Sequence, residues 1–226
     1  MDLVQQLVKV ALLGATWVLY VMFALSVLAV AAMVERWWFY RKNARDSAAL
    51  GPALTQVLKD GDDDEVAELL ARNHSVESEV LHEAFAYRSG GASAFADAVD
   101  SALGDRRGKL DRGTTLLGTI GNNAPFVGLF GTVLGVIEAF SYLGTGDASA
   151  MGNVMGGIAE ALVATAVGIF VAIPSVVGFN LAQKRSGDIE NQVASLAKRI
   201  SAWLKVRAAG QRIGAATRVG ATEHDQ

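Results

Sequence analysis

Two threonines and two glutamates stand in two long apolar runs. Thr132 and Glu138 lie in APFVGLFGTVLGVIEAFSYL (Ala124 to Leu143), and Glu160 and Thr165 in GIAEALVATAVGIFVAIPSVVGFN (Gly157 to Asn180). Carboxylates and hydroxyls are costly in hydrocarbon, so they face a helix bundle or a wet pathway. Two neighbouring helices, each with one threonine and one carboxylate, suggest a conduit for a small ion. Covalent chemistry has no comparable support. The chain has no cysteine, which excludes thiol catalysis and Cys-based zinc sites. His74 and His82 are not at metal-ligand spacing, and no nucleophile–base pair is evident. GTIGNNAPFVG (Gly118 to Gly128) lacks the Lys-Ser/Thr of a nucleotide loop. Neither an enzyme nor a resident cofactor or metal is expected.

Each run carries a narrow face of small residues. On the first, Gly128, Thr132, Gly135 and Ala139 fall three or four apart, and Gly131 and Gly135 form a GxxxG that lets helix backbones approach closely. On the second, Ala161, Thr165, Gly168, Ala172 and Ser175 repeat the arrangement. The competing reading is tight packing, with each threonine bonded to a carbonyl one turn back. Depth favours more than packing. Thr132 lies ten residues before Tyr142 and Thr165 eight after Gly157. In an antiparallel pair both hydroxyls then sit roughly 12–15 Å below one membrane surface, where they could line a polar ring. Glu160 reads either as a carboxylate in the first turn of its helix, favoured by the macrodipole, or as an ion-collecting acid at a pore mouth. Glu138 lies about 120° around the helix from Thr132 and would face a neighbouring subunit or the interface. Pro174 removes a backbone hydrogen bond and should kink its helix. No ionisable residue occurs between Leu162 and Leu181. The chain alone therefore builds no continuous proton relay, and a titratable group from another polypeptide has to complete it.

The elements that position these groups follow from composition. Of 226 residues, 51% are hydrophobic and 19% charged, too apolar for an ordinary soluble domain. A further apolar run, Leu12 to Val34, has no charge. At ~1.5 Å per residue it reaches roughly 34 Å, enough to cross a ~30 Å hydrocarbon core. It exceeds a signal-peptide core and ends in ERWWFYRK (Glu35 to Lys42), an interfacial anchor, so it reads as a retained membrane helix. The fold predicted is an all-α membrane protein with three transmembrane helices, the second and third extended into the cytoplasm. The basic flanks set orientation: Arg36, Arg41, Lys42 and Arg45 follow the first span, Arg106, Arg107, Lys109 and Arg112 precede the second, and Lys184 and Arg185 follow the third. The connection between spans two and three has no base. The N-terminus is then outside and the C-terminus inside.

The expected divisions are an outer N-terminus and first span (1–34), a cytoplasmic helical domain (35–117), the second span (118–143), a short outer turn (144–156), the third span (157–181), its cytoplasmic extension (182–210) and a disordered tail (211–226). GDDDEVAELLAR (Gly61 to Arg72) reads as a capped helix start rather than a calcium loop. ASAFADAVDSALGDRRGKLDRGTTLL, from Ala92, is helical and could run directly into the second span. In the extension, Ile189, Val193, Leu196, Ile200 and Leu204 share one face, and such projecting faces call for self-association. The net charge of −3 and the absence of an aromatic-interleaved basic patch argue against nucleic acid as a partner.

TIGNNAPFVGLFGTVLGVIEAF (Thr119 to Phe140) and GIAEALVATAVGIFVAIPSVVGFN (Gly157 to Asn180) resemble the MotA/TolQ/ExbB proton-channel family, closest to its ExbB and TolQ branch. That resemblance implies a pentamer in the bacterial inner membrane, with spans two and three lining a central pore. It implies an ExbD- or TolR-like single-span partner supplying an intramembrane aspartate, and a TonB- or TolA-like energy transducer. By motif position Thr132 and Thr165 would face that aspartate, and Glu160 would be the acid of GIAEAL. The transported ion would be H⁺, with Na⁺ as the alternative. Glu138 stands where close TolQ relatives tend to have histidine, and Leu134 where they tend to have tryptophan. An ExbB-like transporter motor, a TolQ-like envelope-maintenance motor and a gliding-motility stator all stay open. Outside this class, a passive membrane scaffold is the main competitor; a secondary transporter would need inverted repeats that are absent.

The topology has a direct check, because no native cysteine interferes. Ser149→Cys should react with an impermeant maleimide in intact cells and Ser89→Cys should not; the reverse pattern would invert the orientation.

Overall fold

A computed structural model describes residues 16–60, 62–145 and 150–222. Within them the chain is helical throughout: Thr16–Ala48 (α1), Leu50–Asp60 (α2), Asp63–Arg72 (α3), Val76–Phe85 (α4), Gly91–Asp111 (α5), Thr114–Ser141 (α6) and Ala150–Thr222 (α7). Short 3₁₀ turns at Arg88–Gly90 and Tyr142–Thr145 join some of them. Three helices, α1, α6 and α7, are long and apolar enough to cross a membrane. The first four residues of the expected first span, 12–15, and Ser149 in the expected outer turn lie outside the described residues.

The chain divides into two compact units. One takes residues up to Trp37 with Arg112–Gln183; the other takes Trp38–Asp111 with the chain from Lys184 onward. In the first unit α1, α6 and α7 pack through Val18, Met22, Leu117, Ala124, Leu134 and Val171. Large apolar side chains such as Tyr20, Phe23, Phe126, Phe170 and Ile173 stay exposed, as suits helices whose solvent on that side is lipid. Pro125 and Pro174 both sit inside unbroken helices, each lacking the N–H that would reach a carbonyl one turn back.

In the second unit α2, α3, α4 and α5 wrap one stretch of α7. Leu54, Leu70, Leu81, Phe85 and Phe95 meet Val193, Leu196, Ile200 and Leu204. The face of α7 expected to need another subunit is therefore covered by the chain's own helices. It carries no independent demand for self-association. Asp62 accepts from the backbone N–H groups of Asp64 and Glu65 at 3.0 and 3.1 Å, so the aspartate run caps α3 as expected. One buried charge was not legible in the sequence. Glu77 is 1% exposed, and its two oxygens accept from Asn43 Nδ2 and Ser47 Oγ, each at 2.9 Å. Asn43 Oδ1 in turn accepts from the Val76 N–H at 2.8 Å. Every member of this network has a partner, which is the condition for burying a carboxylate without a large penalty.

Several boundaries differ from the sequence expectation, each for a local reason. Helix α5 ends at Asp111 and does not run into α6, because Gly113 adopts φ +75°, a left-handed conformation that glycine enters at little cost. Helix α7 starts at Ala150, so residues 150–156, expected as turn, are helical. Their glycines had signalled a turn, but the adjacent Gly157 serves close packing, since a β-carbon there would stand 3.0 Å from that of Ala139. At the other end α7 continues to Thr222, where disorder was expected; extending a formed helix needs no new nucleus. Residues 223–226 lie outside the described residues.

Candidate functional site

Helices α6 and α7 touch backbone to backbone. A β-carbon on Gly128 would stand 2.8 Å from the Ala164 carbonyl oxygen and 3.1 Å from Thr165 Cα; one on Gly168 would stand 2.8 Å from the Ala124 carbonyl oxygen and 3.1 Å from Gly128 Cα. Neither position has room for any side chain. A β-carbon on Gly131 would stand 2.8 Å from that of Ala164, and one on Gly121 would meet Val176. These contacts run in opposite directions along the two helices and fix an antiparallel register. Gly135, Ala161 and Ala172 are buried on the same faces. Gly131 of the GxxxG is part of this seam, and Gly128 and Gly168 extend it with a crossing at which each faces the backbone of the other helix.

That register sets the level of the polar groups. Thr132 follows Gly131 and Thr165 follows Ala164, the two residues in contact, so the threonines differ by about 3 Å along the pair. Both are half-buried at the edge of the glycine seam. Their hydroxyls fare differently. Thr132 Oγ1 donates to the Leu129 carbonyl at 2.6 Å, the bond that the packing reading assigns to both. Thr165 Oγ1 is buried and has no hydrogen-bond partner among the described residues. A buried hydroxyl without a partner costs about 1–3 kcal/mol, and Ser175, on the same face, avoids that cost by donating to the Val171 carbonyl at 2.7 Å.

The two carboxylates lie near one end of the pair, around the contact between Ala139 and Gly157. Glu138 Oε1 accepts from the Tyr142 hydroxyl at 3.2 Å. Glu160 Oε1 accepts from Thr16 Oγ1, on α1, at 2.7 Å. Because α7 begins at Ala150, Glu160 stands in its third turn and not its first, so the helix N-terminus does not account for this carboxylate. Nothing in the sequence singles out Thr16, which sits within an apolar run and has its partner 144 residues away. Further along α6, Thr115, Thr119, Asn122 and Asn123 are exposed. Thr119 and Asn123 satisfy themselves on carbonyls one turn back, at 2.9 and 2.8 Å. No ionisable group joins the threonines in the stretch from Leu162 to Leu181. The arrangement has the means to hold a cation or pass a proton between polar oxygens.

The chain is also similar in sequence to known proteins. The sequence profile of the MotA/TolQ/ExbB proton channel family matches residues 72–195, more than half of the chain. The Tol-Pal system protein TolQ of Pseudomonas aeruginosa is 43% identical over 91 residues, covering 40% of this chain and 39% of that protein. The biopolymer transport protein ExbB of Xanthomonas campestris pv. campestris is 43% identical over 98 residues, covering 43% of this chain and 39% of that protein. Its namesake in Neisseria meningitidis is 50% identical over 72 residues, covering 32% and 33%. The matched stretches thus span well under half the length of these curated relatives.

The glycine contact makes a sharp prediction. Gly128→Leu or Gly168→Leu forces a side chain into backbone and should abolish the folded peak in size-exclusion chromatography of detergent-solubilised protein. Gly152→Ala, where a β-carbon meets nothing within 4 Å, should elute as wild type.

Proposed function

The chain belongs to the MotA/TolQ/ExbB proton channel family, and on that footing we propose that it is the channel-forming subunit of a bacterial inner-membrane motor. Such a motor uses the proton motive force to do mechanical work on the cell envelope, for instance in TonB-dependent import across the outer membrane. A TolQ-like envelope-maintenance motor and a gliding-motility stator are variants of the same reading. Relatives named TolQ and ExbB match at the same identity, so sequence likeness does not choose between them. The three membrane helices run with the N-terminus outside and the C-terminus inside. Five copies surround a pore bounded by α6 and α7, and a TonB- or TolA-like transducer carries the work outward.

The observation that carries this reading is the Thr165 hydroxyl, buried without a partner beside the glycine seam and level with Thr132. A group held at such cost is best explained by a partner from outside the chain. The absence of ionisable residues along this part of α7 requires that partner to bring the titratable group. The intramembrane aspartate of an ExbD- or TolR-like single-span protein has the right chemistry: it takes a proton on the outer side, exchanges it past Thr165 and Thr132, and releases it inward. Glu160 and Glu138 gather the ion at the outer mouth. The conducted ion is H⁺, in keeping with the family's description. The partner helices turn or shift as the aspartate changes charge, and no covalent reaction occurs on this chain.

The test separates conduction from packing. Thr165→Val keeps the volume and removes the hydroxyl, so the purified complex should be as stable as wild type or slightly more so. Proton flux in liposomes should fall at least about tenfold, the scale of one hydrogen bond to a charged group. Wild-type flux in that variant would favour the passive scaffold instead.

A further inference from the structure

The N-terminal end of α1 is pinned where the three membrane helices converge. Val18 is fully buried; its methyl carbon lies 3.1 Å from the place a β-carbon on Gly131 would take, and the Ala164 β-carbon lies 2.8 Å from that same place. Trp17 stacks edge-on against Phe130, ring centroids 6.2 Å apart. Immediately before these residues, Thr16 donates its hydroxyl to Glu160 Oε1 at 2.7 Å, one turn along α7 from Ala164. Packing therefore delivers this hydroxyl to the carboxylate; the bond is not a chance meeting of two long, mobile side chains. Threonine is also stiff at χ1, so its oxygen has few other places to go.

The carboxylate needs such an anchor. Standing in the third turn of α7, Glu160 receives nothing from the helix N-terminus, whose influence fades within the first turn. A second carboxylate, Glu138, stands on α6 next to the Ala139–Gly157 contact and accepts from the Tyr142 hydroxyl at 3.2 Å. Among the described residues Glu160 accepts a hydrogen bond through Oε1 and none through Oε2, and between Thr16 and Val34 α1 carries no charge.

We propose that Thr16 is a positioning residue for ion entry: its hydroxyl engages Oε1 of Glu160, fixes the carboxylate in one rotamer, and leaves Oε2 to meet the incoming cation. The inference rests on the reading of Glu160 as an outer-mouth acid. It gives the first membrane helix, otherwise an apolar support, one oxygen atom of the conduction machinery. Without that bond the glutamate side chain regains its rotamer freedom, and the fraction of time that Oε2 is correctly placed falls.

A double-mutant cycle on proton flux decides the matter, using the complex purified with its bound partners and reconstituted in liposomes with a pH-sensitive dye. Thr16→Val should lower flux about three- to tenfold, the worth of one hydrogen bond, and Thr16→Ser should restore it to within about twofold. Glu160→Gln should lower flux further. Adding Thr16→Val to Glu160→Gln should then change nothing more, because the hydroxyl acts only through the carboxylate. Wild-type flux in Thr16→Val, losses that multiply in the double variant, or loss of folded complex in Thr16→Val would each overturn the proposal while leaving the channel reading intact. Wild-type flux in Glu160→Gln would remove the outer-mouth role of Glu160 and the proposal together. A wild-type complex that conducts no protons would refute the channel reading itself.

Discussion

The membrane unit depends on one close approach, that of Gly128 on α6 to Gly168 on α7. Apolar burial offers little net drive between helices in lipid, because the solvent they leave is as apolar as the surface they gain. Dispersion contact and backbone proximity have to substitute. Two facing glycines permit both, and the absence of β-carbons at that crossing is what brings Cα of one helix to within contact of the carbonyl of the other. Flanking contacts at Gly121, Gly131 and Gly157 extend the seam in both directions. The register of the pair is therefore set by sterics and not by any polar interaction.

Everything polar in this unit inherits its position from that register. The threonines share a level because each follows a residue of the Gly131–Ala164 contact. The carboxylates share another because both adjoin the Ala139–Gly157 contact. Small residues hold the helices together, so neither the hydroxyls nor the carboxylates are needed to set the register. Thr132 keeps a backbone bond and Thr165 does not. That asymmetry separates a hydroxyl satisfied within its own helix from one left without a partner among the described residues. The second unit is organised on the opposite principle. There the buried carboxylate of Glu77 is satisfied by Asn43 and Ser47, and the apolar face of α7 is covered by α2–α5.

What was legible in the sequence was periodicity. The face Ile189, Val193, Leu196, Ile200 and Leu204 is buried in the folded chain, and the three apolar helices lie where composition put them. What covers that face was not legible, since a helical pattern names the side that needs burial and is silent on the partner. Glycine was the main source of error because it serves two ends. Gly113 does break the chain, with its left-handed φ. Gly152 and Gly156 were read as part of a turn but lie within α7, and moving the helix start to Ala150 removed Glu160 from the first turn. The bonds from Thr16 to Glu160 and from Asn43 to Glu77 join residues 144 and 34 apart. No local pattern encodes pairs at such separation, and only the folded chain brings them together.

The central claim is that the glycine seam holds Thr165 and Thr132 at one level beside a path filled by another protein's acid. A side-chain-resolution structure of the assembled complex in lipid nanodiscs addresses it most directly. The account requires a carboxylate from a partner helix, or a water bound to one, within hydrogen-bond distance of Thr165 Oγ1, with Thr132 at the same height. Hydroxyls turned toward acyl chains, and an assembly axis closed by apolar side chains at that height, would contradict it.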